Sequence, residues 1–272
     1  MAEQAANNIV ERTEGHEHTL FAQPVFNFSN FQVTNSLLTS WLAVFLIIII
    51  ALAIKLKLKK VPGVFQSMIE KIVVGAFDIM DLVTNDRKKS ERVFPLVFSI
   101  FIFILINNWL GLIPGIGSIT YNGVAMFRGG TADMNTTLAL GIFSVLAANV
   151  FGVIVAGAWN YFNKFINLKA LIEIPKKIIK EPVIVLVNPI NFFVGLIEII
   201  SEIAKVASLS FRLFGNVFAG EVLLASIAAM AAYLVPLPFM FLELIIGVIQ
   251  ALIFAILSLV YFTIASLEHE SH

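Results

Sequence analysis

Arg212, Asn216 and Glu221 stand in "SLSFRLFGNVFAGEVLL", residues 208–224, inside a long apolar run. Glu198, Glu202, Lys205 and Ser208 precede them, and Glu243 and Gln250 follow in a second apolar run. At about 100° per residue, Glu198, Ser201, Lys205, Ser208, Arg212 and Asn216 fall close to one line on a helix, with Glu202 about 80° away. Glu221 lies on the opposite side from Arg212, and Glu243, Gly247 and Gln250 share a face. A charge at bilayer depth costs about 2.5–3.5 kcal/mol on insertion scales, so each one asks for a function. A guanidinium stays protonated and cannot relay protons. As a fixed cation it can attract a passing carboxylate, make it release its proton, and bar cations from leaking through. Glu221 and Glu243 have no basic residue within a helical turn. A carboxyl there suits a proton relay, or else a protonated hydrogen bond between helices. The spacing of Glu198, Glu202 and Lys205 at i, i+4 and i+7 favours a local salt bridge or snorkelling.

These residues need a membrane to make sense. The chain has 272 residues, 59% hydrophobic and 13% charged, with mean hydropathy +0.92. A soluble domain of that size carries about twice as much charge. Net charge is zero, which points to no nucleic-acid or other polyionic partner. The absence of cysteine excludes disulfides, thiolate metal sites and cysteine nucleophiles. His16, His18, His269 and His272 lie in the polar ends, which argues against a haem protein; no cofactor is expected. The mildly acidic N-terminus reads as lacking a cleaved leader.

The fold class that follows is an all-α integral membrane protein: five crossings, an amphipathic surface helix, and a last pair of helices forming a long, strongly tilted hairpin. The chain divides into an outer segment 1–35, a first transmembrane helix 36–57, and a cytoplasmic stretch 58–92. The second and third transmembrane helices with their outer loop fill 93–162. A cytoplasmic loop 163–187, the hairpin 188–267 and a tail 268–272 complete it. Within 62–85, apolar residues from Phe65 to Val83 recur at helical spacing, which places that helix on the membrane surface. The breaker "PLP" at Pro236–Pro238 is expected to turn the hairpin. A continuous 188–234 helix would be about 70 Å long against about 30 Å of hydrocarbon, hence the tilt. With the turn at 235–238, straight helices would leave Glu221 and Glu243 about 13 Å apart along the axis.

With five crossings, 55–60, 86–92, the 163–182 loop and Lys71 fall on one side and hold 14 of the 18 basic residues. That side is cytoplasmic by the positive-inside rule, with the N-terminus outside and the C-terminus inside. Arg12 and Arg128 fall outside. Small residues Ala204, Ala207, Ser208, Gly215, Ala219 and Gly220 thin the fourth crossing, for packing inside the hairpin or against another subunit.

"SLSFRLFGNVFAGE" resembles the signature of subunit a of the F-type ATP synthase, and the likeness covers 24–267. "PVFNFSNFQVTNS", "NNWLGLIPG", "TADMNTTLALG" and "GVIQALIFAILSLVYFTIA" each resemble that family at the corresponding place. The resemblance implies a non-catalytic stator beside a ring of c subunits, with peripheral-stalk b subunits and the lipid bilayer as further partners, in a bacterial plasma membrane. Arg212 would face the ring carboxylate, with Asn216 beside it and Gln250 as its partner on the last helix. Glu221 takes the position of the outer half-channel glutamate. Glu243 stands where many bacterial members carry histidine, so this path has two acids and no imidazole. Glu198 matches an acidic position on the cytoplasmic path, with Glu202 beside it; Asn107, Asn108 and Asp133 are candidate polar lining of the outer path. The transported ion is H⁺ or Na⁺. A secondary transporter would show repeated halves, and an intramembrane hydrolase a nucleophile with its base or a metal; the sequence displays neither.

Overall fold

The computed structural model describes residues 21–28, 31–116, 119–121, 123–157, 184–230 and 234–267. The predicted loop 163–182 and tail 268–272 lie outside these residues. Six helices make the body: α1 (Asn35–Lys57), α2 (Val64–Thr84), α3 (Arg87–Leu112), α4 (Met134–Ala156), α5 (Ile184–Met230) and α6 (Pro236–Leu267). All but α2 are long and apolar enough to cross a membrane. Two small antiparallel hairpins stand beside them, β1 (Pro24–Phe28) with β2 (Phe31–Thr34), and β3 (Thr120–Tyr121) with β4 (Val124–Ala125). A purely helical expectation passed over these hairpins.

Local chemistry sets the helix ends. Thr34 caps α1 and Asp86 caps α3, each accepting from a backbone N–H in the first turn. Because Asp86 starts it, α3 takes in the basic residues from Arg87 and begins before the apolar run does. Asp133 caps α4 through Asn135 N, and α4 ends at Gly157, whose φ of +81° few other residues adopt. The sequence places the hairpin break on Pro236–Pro238; the structure instead starts α6 at Pro236. Proline is tolerated in a first helical turn, where its missing N–H has no intrahelical partner to lose.

α2 lies along the start of α3 and the end of α6 and carries its own fastening. Arg87 Nη1 reaches Asp81 Oδ2 at 2.7 Å, and its guanidinium sits 4.1 Å from the Phe77 ring centroid. Ile100, Ile104, Val145, Leu209, Leu213, Ala251 and Phe254 form a core among α3, α4, α5 and α6. A second core continues it toward α2, through Met80, Val93, Val97, Ala148, Ala255, Leu259 and Phe262. Polar groups couple helices where lipid offers no partner: Ser144 Oγ donates to Ser258 Oγ at 2.6 Å between α4 and α6. α1 is held mainly at its N-terminal end, by Asn35, Ser36, Thr39 and Ser40, all buried; most of the rest of its apolar surface is open.

At 47 residues α5 is about 70 Å long. That is more than twice the hydrocarbon layer, so α5 must slant or run past it.

Candidate ion-path site

Arg212 projects from the open face of α5. Ser208, Arg212, Gly215 and Ala219 are all exposed there, while Leu209, Ser210, Leu213 and Phe214 behind them are buried. A side chain added at Gly215 would meet nothing within 4 Å. Arg212 Nη2 donates to Ser208 Oγ at 3.4 Å. Among the described residues no carboxylate comes within ion-pair distance of it. On the opposite side, Gly141 of α4 rests on Ser210 and the Val206 carbonyl. The small residues around Arg212 therefore lie open, whereas Ser210 does the packing inside the bundle.

One turn outward, Asn216 joins Val217, Glu221, Glu243, Gly247, Asn108, Gly111 and Leu112 around a cavity of about 20 Å³. That is room for about one water. Both predicted acids thus line one space. The Glu243 carboxyl stands against Gly220 of α5, so the axial offset of about 13 Å that straight helices and a turn at 235–238 would give does not arise. Gly220 makes the lateral approach possible, because a Cβ there would overlap the Glu243 carboxyl.

Glu221 is not left unpaired, as its helical neighbours imply. Arg128, from the loop between α3 and α4, donates Nε to Glu221 Oε2 at 3.1 Å, with 12% and 18% of the two side chains exposed. Gly129 packs directly against the same carboxylate, where a Cβ would stand 3.1 Å from Oε1. Arg128 is secured in turn: its backbone N–H donates to Thr39 Oγ1 at 3.2 Å and its Nη1 to the Phe21 carbonyl at 3.4 Å. Next along the loop, Thr131 Oγ1 donates to Asn108 Oδ1 at 2.6 Å, and Asn108 Nδ2 donates to the Gly247 carbonyl of α6 at 3.1 Å. Asn108 is therefore cavity lining. Asn107 and Asp133 are framework: Asn107 accepts from Ser40, and Asp133 accepts from Ser36 Oγ at 2.9 Å and from Ala22 N. Gln250 is buried, and its Nε2 has no hydrogen bond among the described residues; no bond to Asn216 forms.

Toward the start of α5, Lys205 Nζ lies 2.6 Å from Glu202 Oε1 and 3.8 Å from Glu198 Oε1. Asn149 Nδ2 of α4 donates to Glu202 Oε2 at 3.1 Å, and Lys205 lies 5.5 Å from the Tyr261 ring centroid on α6. The local ion pairing that the spacing favours is present. Asn149, Tyr261 and Arg128 are the residues that sequence reasoning did not assign. An asparagine in the middle of an apolar span, and an arginine on the side that basic residues avoid, were the available signals.

Residues 37–263 match the protein family described as "ATP synthase A chain". "ATP synthase subunit a" of Syntrophobacter fumaroxidans is 33% identical over 256 residues, covering 93% of this chain and 92% of that protein. "ATP synthase subunit a 3" of Pelobacter propionicus is 35% identical over 234 residues, 86% and 87% of the two chains. "ATP synthase subunit a" of Mycobacterium bovis is 34% identical over 239 residues, 83% and 85% of the two. With five apolar spans around an open arginine, and with matches of this length, the chain belongs to the ATP synthase subunit a family.

Proposed function

We propose that this chain is the ion-translocating stator of a bacterial F-type ATP synthase, with Arg212 opposite the carboxylate of a rotating c subunit. The carrying observation is a guanidinium on an open, narrow face with no acid beside it among the described residues. An arginine so placed needs an anion from outside the chain, because an unpaired cation in hydrocarbon is costly.

Protons enter from the outer side through the cavity shared by Glu221 and Glu243 and pass by Asn216 to a ring carboxyl. The ring turns the neutral carboxyl through lipid. On reaching Arg212 the group ionises, since a nearby cation favours the charged form. Its proton leaves along the cytoplasmic side, past Ser208 toward Glu202 and Glu198, between which Lys205 stands. Each proton gathers about 2.3 kcal/mol per 100 mV of membrane potential. The chain makes and breaks no covalent bond besides those to the proton. Its partners are the c ring, the peripheral-stalk b subunits and lipid. Its N-terminus is outside, in a bacterial plasma membrane.

The test is Arg212→Ala in the assembled complex, with proton-driven ATP synthesis measured in vesicles. Synthesis should fall to background while the complex still assembles; normal coupled synthesis would sink the reading. Uptake that follows external Na⁺ rather than pH would overturn the proton assignment and leave the stator role standing.

A further inference from the structure

Two acids in one small cavity raise the question of which carries the proton, and the outer loop answers it. The groups facing Glu221 can be enumerated by element. The 128–130 loop offers Arg128 and the Gly129 backbone, and α6 offers Glu243. The facing side chains of α3 and α1 are neutral: Asn107 and Asn108, Thr39 and Ser40. Asp133, at the start of α4, is committed to Ser36, Thr136 and Ala22. On α5 itself, Arg212 stands nine residues away and turned to the opposite side.

The loop is built for this contact. A Cβ at Gly129 would stand 3.1 Å from Glu221 Oε1, and one at Gly111 of α3 would stand 2.9 Å from the Gly129 Cα. A Cβ at Gly130 would overlap Asn107 and Ser40. "RGG" at 128–130 therefore lies flush on α1, α3 and α5 because two of its three residues have no side chain. Arg128 is fixed at its backbone and at Nε and Nη1; its Nη2 is buried with no partner among the described residues. Glu243 has no cation among the described residues and one water's space beside it.

We propose that Arg128 is a positioning residue of the outer path: it pins Glu221 as a fixed counter-ion, and Glu243 alone shuttles the proton to Asn216 and the ring. This division rests on the ion-path reading above. Two carboxylates around one cavity repel each other. With one neutralised by a built-in arginine, the other can gain a proton from the outer side and lose it toward the ring. Loss of Arg128 would leave both acids competing for one proton, titrating as a coupled pair.

The experiment uses the whole ATP synthase in vesicles and measures ATP-driven proton pumping and ATP synthesis against external pH. The variants are Arg128→Gln, Arg128→Lys, Glu221→Gln, the double variant R128Q/E221Q, and Glu243→Gln. Complex recovery is checked for each. Arg128→Gln should slow transport by at least about tenfold, as expected for a buried charge left alone, and move the pH profile upward, since removing a cation disfavours the carboxylate form. Arg128→Lys should keep the wild-type profile. R128Q/E221Q should recover to within about threefold of wild type, with its pH profile restored; a pair that only held the fold would change recovery of the complex without moving the profile. Glu243→Gln should abolish transport in every background. The proposal is overturned if Glu221→Gln and R128Q/E221Q are both as inactive as Glu243→Gln, for then Glu221 itself carries the proton. It is equally overturned if Arg128→Gln matches wild type in rate and profile. Normal transport by Glu243→Gln together with R128Q/E221Q would instead defeat the underlying ion-path reading.

Discussion

At the residue scale, two arginines do opposite things. Arg128 is locked to a carboxylate within its own chain, and Arg212 presents its charge outward. Arg212→Lys should restore almost none of the synthesis lost in Arg212→Ala, since a compact, strongly hydrated ammonium lacks the planar fork; measured synthesis above about a tenth of wild type would contradict this. Gly220 offers a second test. Gly220→Ala forces a methyl into the Glu243 carboxyl. Overpacking of this kind costs about 1–3 kcal/mol, and the displaced acid should slow outer-side uptake about tenfold. Gly215→Ala, facing open space, should leave thermal stability of the isolated chain unchanged or raise it by up to about 1 kcal/mol. The stripe from Glu198 to Asn216, and Glu221 and Glu243, were legible because charge inside an apolar run is conspicuous. The Arg128–Glu221 pair was not, because its members are 93 residues apart and no periodicity joins a loop to a helix.

At the element scale, α5 has one side for its own bundle and one for something else. Cysteines at Ser208 or Arg212, in this cysteine-free background, should cross-link to the outer helix of the c subunit; at Ser210, which is fully buried, or at Glu221 they should do so at least about tenfold less. Equal yields around the helix, read on a gel, would remove the assignment of the face. The apolar spans and the amphipathic α2 were readable from length and period. The start of α6 was not: a proline was taken as a terminus, where helix geometry accepts it as a first residue.

For the molecule as a whole, the two ends differ in kind. One end gathers Lys55, Lys57, Lys59, Lys60 and Arg87 to Lys89 around α2; the opposite end carries the two hairpins and the loop with Arg128. A cysteine at Lys59 should react with a membrane-impermeant maleimide only from the cytoplasmic face, and one at Thr120 only from the outside; the reverse pattern would invert the protein. The surface pairing of α2 with α3 matters little to overall stability. Arg87 and Asp81 are partly exposed, so Arg87→Ala should leave the thermal unfolding midpoint nearly unchanged. What residue spacing could not disclose was the stitching of the outer end, where β1–β2, α1, the loop and α4 meet through Ala22, Ser36, Thr39 and Asp133.

The ion pair between the outer loop and α5 also has a timetable. Glu221 is made 93 residues after Arg128. At a synthesis rate of about 5–20 residues per second, the loop waits about 5–20 s before its carboxylate is made. A chain truncated before α5 should therefore be cut by protease at 128–130 while the full chain resists; equal cutting of the two would contradict this. Closure of this loop marks the moment at which the outer half of the protein is complete.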